Sequence, residues 1–355
     1  MKVKVCGECG VPLAVSRGQV WHSNGVITQA RDPDRRMIFH ESDNIDDLFR
    51  IIEEIIGLPI EHIVIESKRR EVREYVEKLL PWPVRKVARY MGFKPMARML
   101  SRMGRAYGYG DVSLGEQRIR RRDDDYQTMI VRNPHSLLFY CGENLGAWEA
   151  IDGRDSFVEY EKIGDKTYRV TNRIGKHPIE LQERLQKKRY SFKPGNIQFE
   201  RCPGCSIPLG VTRYRWDLVE GTIVDPVTNN RMAILGPSGF EAVLDDLEAE
   251  LGETVPEAII EAYRRNLREH LAKLGWLNKK PTDFRQMLAL RGLGNITRFD
   301  HGEERLDLTV ENSCIPLLLV GLAQAIFELA WGLEKSSYRW SLADDGDLST
   351  MVSRI

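Results

Sequence analysis

Four cysteines stand in two Cys-x-x-Cys pairs, Cys6/Cys9 and Cys202/Cys205. A Cys-x-x-Cys-Gly turn makes two thiolates converge while backbone N–H groups support the sulfurs, which is the zinc-knuckle arrangement. Cys6-Gly7-Glu8-Cys9-Gly10 has that form, and Cys202-Pro203-Gly204-Cys205-Ser206 is its near copy. Zinc takes four ligands and each pair offers two, yet 192 residues separate Cys9 from Cys202, far beyond a ribbon spacing. The expectation is one zinc ion shared by Cys6, Cys9, Cys202 and Cys205 and stapling two parts of the chain. Neither pair opens a helix after a strand, as thioredoxin-like dithiol chemistry requires. Six cysteines in 355 residues, four of them paired this way, also speak against a secreted disulfide framework.

Other residues could carry charge-based contacts. From Val84 to Arg105 lie Arg85, Lys86, Arg89, Lys94, Arg98, Arg102 and Arg105 with no acidic residue. Methionines and other apolar residues are interleaved with them. A basic, Met-rich amphipathic stretch suits an anionic membrane surface or an acidic protein partner, and Gly92 and Pro95 should break it into two helices. Arg118-Ile119-Arg120-Arg121-Arg122 is followed at once by Asp123-Asp124-Asp125, which cancels most of its field in what reads as a hairpin loop. Lys187-Lys188-Arg189-Tyr190-Ser191-Phe192-Lys193 mixes cations with aromatics, but reads more simply as the basic end of a helix. Nucleic acid is therefore not an expected partner. There is no Gly-x-Ser-x-Gly elbow, Walker-type phosphate loop or His-Glu-x-x-His, and Gly108-x-Gly110 lacks the rest of a dinucleotide fingerprint.

The two cysteine pairs head two collinear series of matching residues. Gly57 matches Gly252, Ile65-Glu66 matches Ile260-Glu261, Arg69-Arg70 matches Arg264-Arg265 and Arg73-Glu74 matches Arg268-Glu269, all at an offset of 195. Gly108 and Gly110 then match Gly292 and Gly294 at 184. Asn133, Gly142, Glu149 and Gly153 match Asn312, Gly321, Glu328 and Gly332 at 179. The first copy is thus longer by 11 residues before Gly108 and by 5 more before Asn133. Pro194-Gly195-Asn196 is a turn-rich junction, so the expected domains are 1–197 and 198–355.

Each copy reads as a cysteine turn with a short hairpin (Val20 to Ile27; Gly221 to Val224), two helices, a hairpin, a Gly/Ala-rich helix and a last hairpin. Phe240, Val243, Leu244, Leu247 and Leu251 make one helical stripe, and a second helix runs from about Pro256 to Leu274. Strands are expected at Ile296 to Phe299 and Leu306 to Val310, a helix at Pro316 to Leu329, and a final hairpin ending in Ser337-Tyr338-Arg339-Trp340. The expected class is α+β, two tandem modules of helices plus a small antiparallel sheet. Glu66 and Glu261 lie three residues before Arg69 and Arg264, a spacing for helical ion pairs.

A Gly-x-Gly before the first hairpin and a Gly-x-x-x-Ala/Gly helix between hairpins resemble the 4-vinyl-reductase-like domain. This is also called the hydrocarbon-binding domain, and its superfamily is similar to the small TRAPP-complex subunits. The carrying residues are Gly108, Gly110, Gly142, Gly146 and Glu149 in the first copy and Gly292, Gly294, Gly321 and Glu328 in the second. The resemblance covers the later two-thirds of each copy. It implies an apolar pocket at the Gly-rich helix, lined by His135, Cys141, Gly142 and Gly146, and by Cys314, Gly321 and Ala325. His135 or a cysteine would be in place to contact a ligand or a haem iron. The function implied is binding of a hydrophobic small molecule, as sensor or carrier. The alternatives are an enzyme or accessory factor acting on a tetrapyrrole or aromatic ligand, and a scaffold subunit of a larger assembly.

Composition sets the outer bounds. A hydrophobic share of 42% and a charged share of 29% are globular values. Lys+Arg and Asp+Glu both total 52, so the net charge of zero excludes a chain built throughout to coat nucleic acid. The N-terminal residues lack a signal-peptide core. The most apolar stretch, Ile315 to Phe327, is interrupted by Gln324 and falls short of the ~20 residues of a membrane span. A soluble, cytoplasmic protein is expected.

Overall fold

The computed structural model describes residues 3–91, 94–177, 191–271 and 281–355. The first half runs α1 (Leu13–Ser16), β1 (Gln19–Trp21), β2 (Ile27–Gln29), β3 (Asp32–Glu41), α2 (Ile45–Ile56), α3 (Glu61–Leu79), α4 (Trp82–Met91) and α5 (Lys94–Tyr107). It continues with β4 (Asp111–Arg118), β5 (Tyr126–Arg132), α6 (Leu137–Asp152), β6 (Ser156–Gly164) and β7 (Thr167–Ile174). The second half runs α7 (Leu209–Thr212), β8 (Arg215–Asp217), β9 (Thr222–Val224), β10 (Arg231–Leu235), α8 (Pro237–Leu251), α9 (Val255–Leu271) and α10 (Pro281–Leu290). It ends with β11 (Asn295–His301), β12 (Arg305–Glu311), α11 (Pro316–Trp331), β13 (Ser337–Leu342) and β14 (Leu348–Ser353). Among the described residues the two orders differ only by α4. The protein is α+β, with helices packed on three small antiparallel sheets.

Two sheets belong to one half each and have the same strand order, β4-β5-β7-β6 and β11-β12-β14-β13, with α6 and α11 as the connections between hairpins. The third is shared. Its order is β1-β2-β3-β10-β9-β8, and β3 meets β10 antiparallel with Phe39 opposite Ile234 and Ile38 opposite Leu235. Side chains alternate across a strand. Met37, Phe39, Met232 and Ile234 therefore enter a core with Cys6, Cys202 and Trp21, while Ile38, Ala233 and Leu235 enter the main helical core on the other face. Neither β3 nor β10 is among the strands expected from sequence. The polar run Arg31-Asp32-Pro33-Asp34-Arg35-Arg36 hides the start of β3, and β10 is only five residues long.

The halves exchange partners. Helix α2 packs on α9, and α8 on α3. Helix α2 buries Ile45, Leu48, Phe49 and Ile52, a period-3.6 stripe, with Asp46 and Asp47 in its first turn where the helix dipole favours anions. Near the central sheet, the Gly110 N–H donates to Gly221 O (2.9 Å) and the Gly294 N–H to Gly25 O (3.1 Å). Gly108, Gly110, Gly292 and Gly294 all have positive φ, and a Cβ on Gly108 would stand 2.4 Å from Met232 O. Only glycine satisfies both conditions, which is why these four recur.

Two sequence expectations are adjusted in detail. Ser337–Leu342 opens the last hairpin instead of ending it, because Asp344-Asp345-Gly346 forms the turn into β14. Residues Lys187–Tyr190 of the mixed basic-aromatic run lie outside the described residues, as does Gly92, although the basic stretch does divide into α4 and α5.

Candidate metal centre

Each cysteine pair sits on a turn built the same way. The Gly10 N–H donates to Cys6 O (3.0 Å) and the Ser206 N–H to Cys202 O (2.8 Å). The Cys6 N–H donates to Val11 O and the Cys202 N–H to Ile207 O, both at 2.9 Å. Gly10 and Ser206 occupy the left-handed region at φ 74° and 61°, closing each knuckle before a one-pair bridge, Val5 to Pro12 and Arg201 to Pro208. Short helices follow at once, α1 and α7. The turns dock face to face over the shared sheet.

The four sulfurs converge. Cys6 Sγ lies 4.0 Å from Cys202 Sγ and Cys9 Sγ 3.6 Å from Cys205 Sγ, and all four lie within 4.8 Å of one another. A tetrahedral zinc with Zn–S bonds of ~2.3 Å places its sulfurs ~3.8 Å apart. The donor set and spacing fit a divalent, thiolate-loving ion. Cys6 and Cys202 are buried, and Cys9 and Cys205 are half-buried at the rim. The backbone N–H groups of Cys9 and Glu8 bring the Cys6 thiol down to about 7, as expected of a sulfur held by a knuckle. Burial raises Cys9 to about 12 and also raises Cys205. A second group, Glu149, Asp155 and His177, also gathers potential ligands. There Arg69 and Arg73 already bring two positive charges to Glu149, at 2.7 and 3.3 Å, so the place suits an ion-pair network better than a cation.

The residues assigned to a pocket at the Gly-rich helices divide into three kinds. Gly142 and Gly146 on α6 face α3, where added Cβ atoms would meet Ile65 O at 2.6 Å and Arg69 O at 2.3 Å; Gly321 on α11 faces α9, 2.7 Å from Ile260 O. Their small size is used for helix–helix contact. Ala325 is fully buried on α11, and Cys141 lies among Val112, Met129, Val131 and Val170, its thiol pushed well up by burial. His135 is buried, stacked on Tyr109 with centroids 4.3 Å apart, and its Nε2 is 3.6 Å from Glu143 Oε1.

Cys314 lines a cavity of about 20 Å³ between α9, α10 and α11. Its apolar wall includes Leu267, Met287, Leu293, Leu318 and Leu322. Its polar end, which the sequence reading missed, is formed by His40 and Glu41 of the first half with Arg291 and Tyr263 of the second. Glu41 and Arg291 form an ion pair, and Tyr263 Oη lies 3.3 Å from His40 Nε2. Burial pushes His40 below its ordinary value. Burial alone would raise Glu41, but Arg291 outweighs it and holds the carboxyl low. These groups come from segments far apart in sequence, with no local spacing to betray them. At the equivalent positions of the first half stand Lys68, Tyr109, His135 and Glu143 in place of Tyr263, Leu293, Cys314 and Leu322. Lys68 reaches Glu71 at 3.3 Å and Glu143 at 3.4 Å there, so an ion pair stands where the second half has Tyr263 and Leu322.

Two buried carboxylates act as a matched pair. Glu149 on α6 accepts from Arg69, and Glu328 on α11 accepts from Arg264, both at 2.7 Å. The expected helical pairs Arg69–Glu66 (2.8 Å) and Arg264–Glu261 (2.7 Å) complete each network. Among the described residues, no helix is long and apolar enough to cross a membrane. No protein-family model matches the chain, and no curated protein matches it.

Proposed function

We propose that the protein is a zinc-stapled binder of a hydrophobic small molecule, acting as carrier or sensor. The cavity behind Cys314 carries this reading. It has an apolar body of leucines and a methionine and one polar end of His40, Glu41, Tyr263 and Arg291, the usual division of labour in a small-molecule site. A volume of about 20 Å³ holds about one water. Ligand pockets usually hold about 300 Å³ or more, so a ligand has to open this one by displacing the leucines and Met287, the most adaptable side chain of the wall. Ile315, on the cavity wall, has φ 52°, a region a β-branched residue rarely adopts. Such strain costs about 1–3 kcal/mol and tends to collect at ligand sites. The hydrocarbon-binding resemblance would also put its pocket beside the Gly-rich helix, and of the residues it implied Cys314 lines this cavity.

Zinc at Cys6, Cys9, Cys202 and Cys205 would supply a closed tetrathiolate shell with no open position for water, a structural role. The ligand reading is tested by organic extraction and mass spectrometry of the purified protein. An apolar molecule should be recovered from the wild type and lost from Leu318→Phe, whose ring takes up the cavity, with zinc content and circular dichroism unchanged. Wild-type protein that yields no such molecule and takes up no fluorescent apolar probe would refute it.

A further inference from the structure

Helix α4, which lies in the first half's 11-residue excess, is turned inside out for a surface helix. Its arginines point inward. Arg85 donates from Nε to Leu80 O (3.0 Å) and from Nη1 to Ala150 O (3.2 Å), and Arg89 donates to Ile151 O (2.9 Å). Two of these carbonyls belong to the last turn of α6, where cations are favoured. Three of its apolar residues point outward: Trp82 is 63% exposed, Val84 49% and Val87 56%. Leu79, at the end of α3, is exposed as well, as are Met99 and Met103 one turn apart on α5. A solvated helix normally shows the opposite arrangement.

The charge of the region is one-sided. No Asp or Glu occurs between Glu77 and Asp111. Lys86, Arg98 and Arg102 are exposed, and Lys86 Nζ lies 5.0 Å from the Trp82 ring. We propose that the exposed sides of α4 and α5, which both pack their inner sides on the Trp148–Ile151 cluster, dock on an anionic lipid bilayer. Such a surface offers negative headgroups and, a few ångströms below, hydrocarbon. An exposed Trp, valines and methionines set among lysine and arginine meet both layers at once. A nucleic acid would use the cations and leave the aliphatic side chains without partners. An acidic protein would have to bury its own carboxylates beside them. The proposal is independent of the cavity and of its ligand.

Co-sedimentation of the full-length protein with vesicles tests it. The protein should pellet with phosphatidylcholine vesicles containing about one-third phosphatidylserine and stay in solution with phosphatidylcholine alone. Raising salt from about 50 to about 500 mM should cut binding at least about tenfold, as screening requires. Trp82→Ser with Val87→Ser should cut binding about tenfold at low salt, as should Arg98→Glu with Arg102→Glu. All four residues are exposed, and unchanged zinc content and circular dichroism establish that the variants are folded. Failure of the wild type to pellet with anionic vesicles at low salt would overturn the proposal. Undiminished binding by folded variants would do the same, as would capture by an acidic polypeptide without vesicle binding.

Discussion

Arg36 and Arg231, 195 residues apart, do the same work in opposite directions across the molecule. Arg36 on β3 donates to the carbonyls of Gly292, Asn312 and Ser313 in the second half, at 2.5–3.0 Å. Arg231 on β10 donates to those of Asn133 (2.7 Å) and Pro134 (3.2 Å) in the first. Asn133 and Asn312 both have positive φ, so each arginine grips a chain corner of the same shape. Each half's sheet strands are thus fastened to the other half's hairpin unit. Together with the exchange of α2 and α8, this makes the two halves a single interlocked structure.

Removing one clamp should be costly. Hydrogen bonds to charged groups contribute about 1.5–3 kcal/mol, and Arg36→Ala would strand three carbonyls at a buried position. The expected loss is about 2–4 kcal/mol in urea denaturation, with Arg231→Ala losing somewhat less because it makes fewer bonds. A loss below about 0.5 kcal/mol for both variants would mean that the clamps do not hold the halves.

The glycines of the α6–α3 contact predict overpacking. A methyl on Gly146 would meet Arg69 O at 2.3 Å, against backbone that cannot rotate away. Gly146→Ala should destabilise by about 1–3 kcal/mol, although alanine is the better helix former. An unchanged or raised denaturation midpoint would contradict the observed helix approach.

His177 gives the pH dependence. Glu66, whose Oε1 lies 3.6 Å from His177 Nδ1, is the largest influence and raises its pKa. Glu149 adds to this, while burial and Arg69 oppose it. A base whose pKa rises on folding stabilises the fold fully below its unfolded value of 6.5, and that contribution is lost as pH climbs through the folded value. Denaturation midpoints taken from about pH 6 to about pH 9 should therefore fall more steeply in the wild type than in His177→Gln. Parallel curves would remove His177 from the network.

Much of this architecture was legible in residue types that geometry makes hard to replace. The recurring glycines and Asn133/Asn312 mark left-handed corners, the Arg–Glu spacings mark helical pairs, and the cysteine turns mark knuckles. The strands β3 and β10 were hidden because one begins in a charged, proline-containing run and the other is too short to show a period. The exchange between halves left no trace in the sequence pattern, since an apolar stripe says that a helix is buried without saying against what. The cavity's polar end was invisible for the same reason, as His40 and Arg291 meet only through that exchange.

The shared metal is the claim that joins the two cysteine turns, and elemental analysis of the purified chain addresses it most directly. Because neither pair completes a zinc shell alone, one zinc per chain is predicted. Cys202→Ser should release the metal held by Cys6 and Cys9 as well, and should loosen the contact between the knuckles before either helical core melts. Two zinc ions per chain, or a full zinc complement retained by Cys202→Ser, would show that the pairs bind separately, and a metal-free chain would contradict the staple outright.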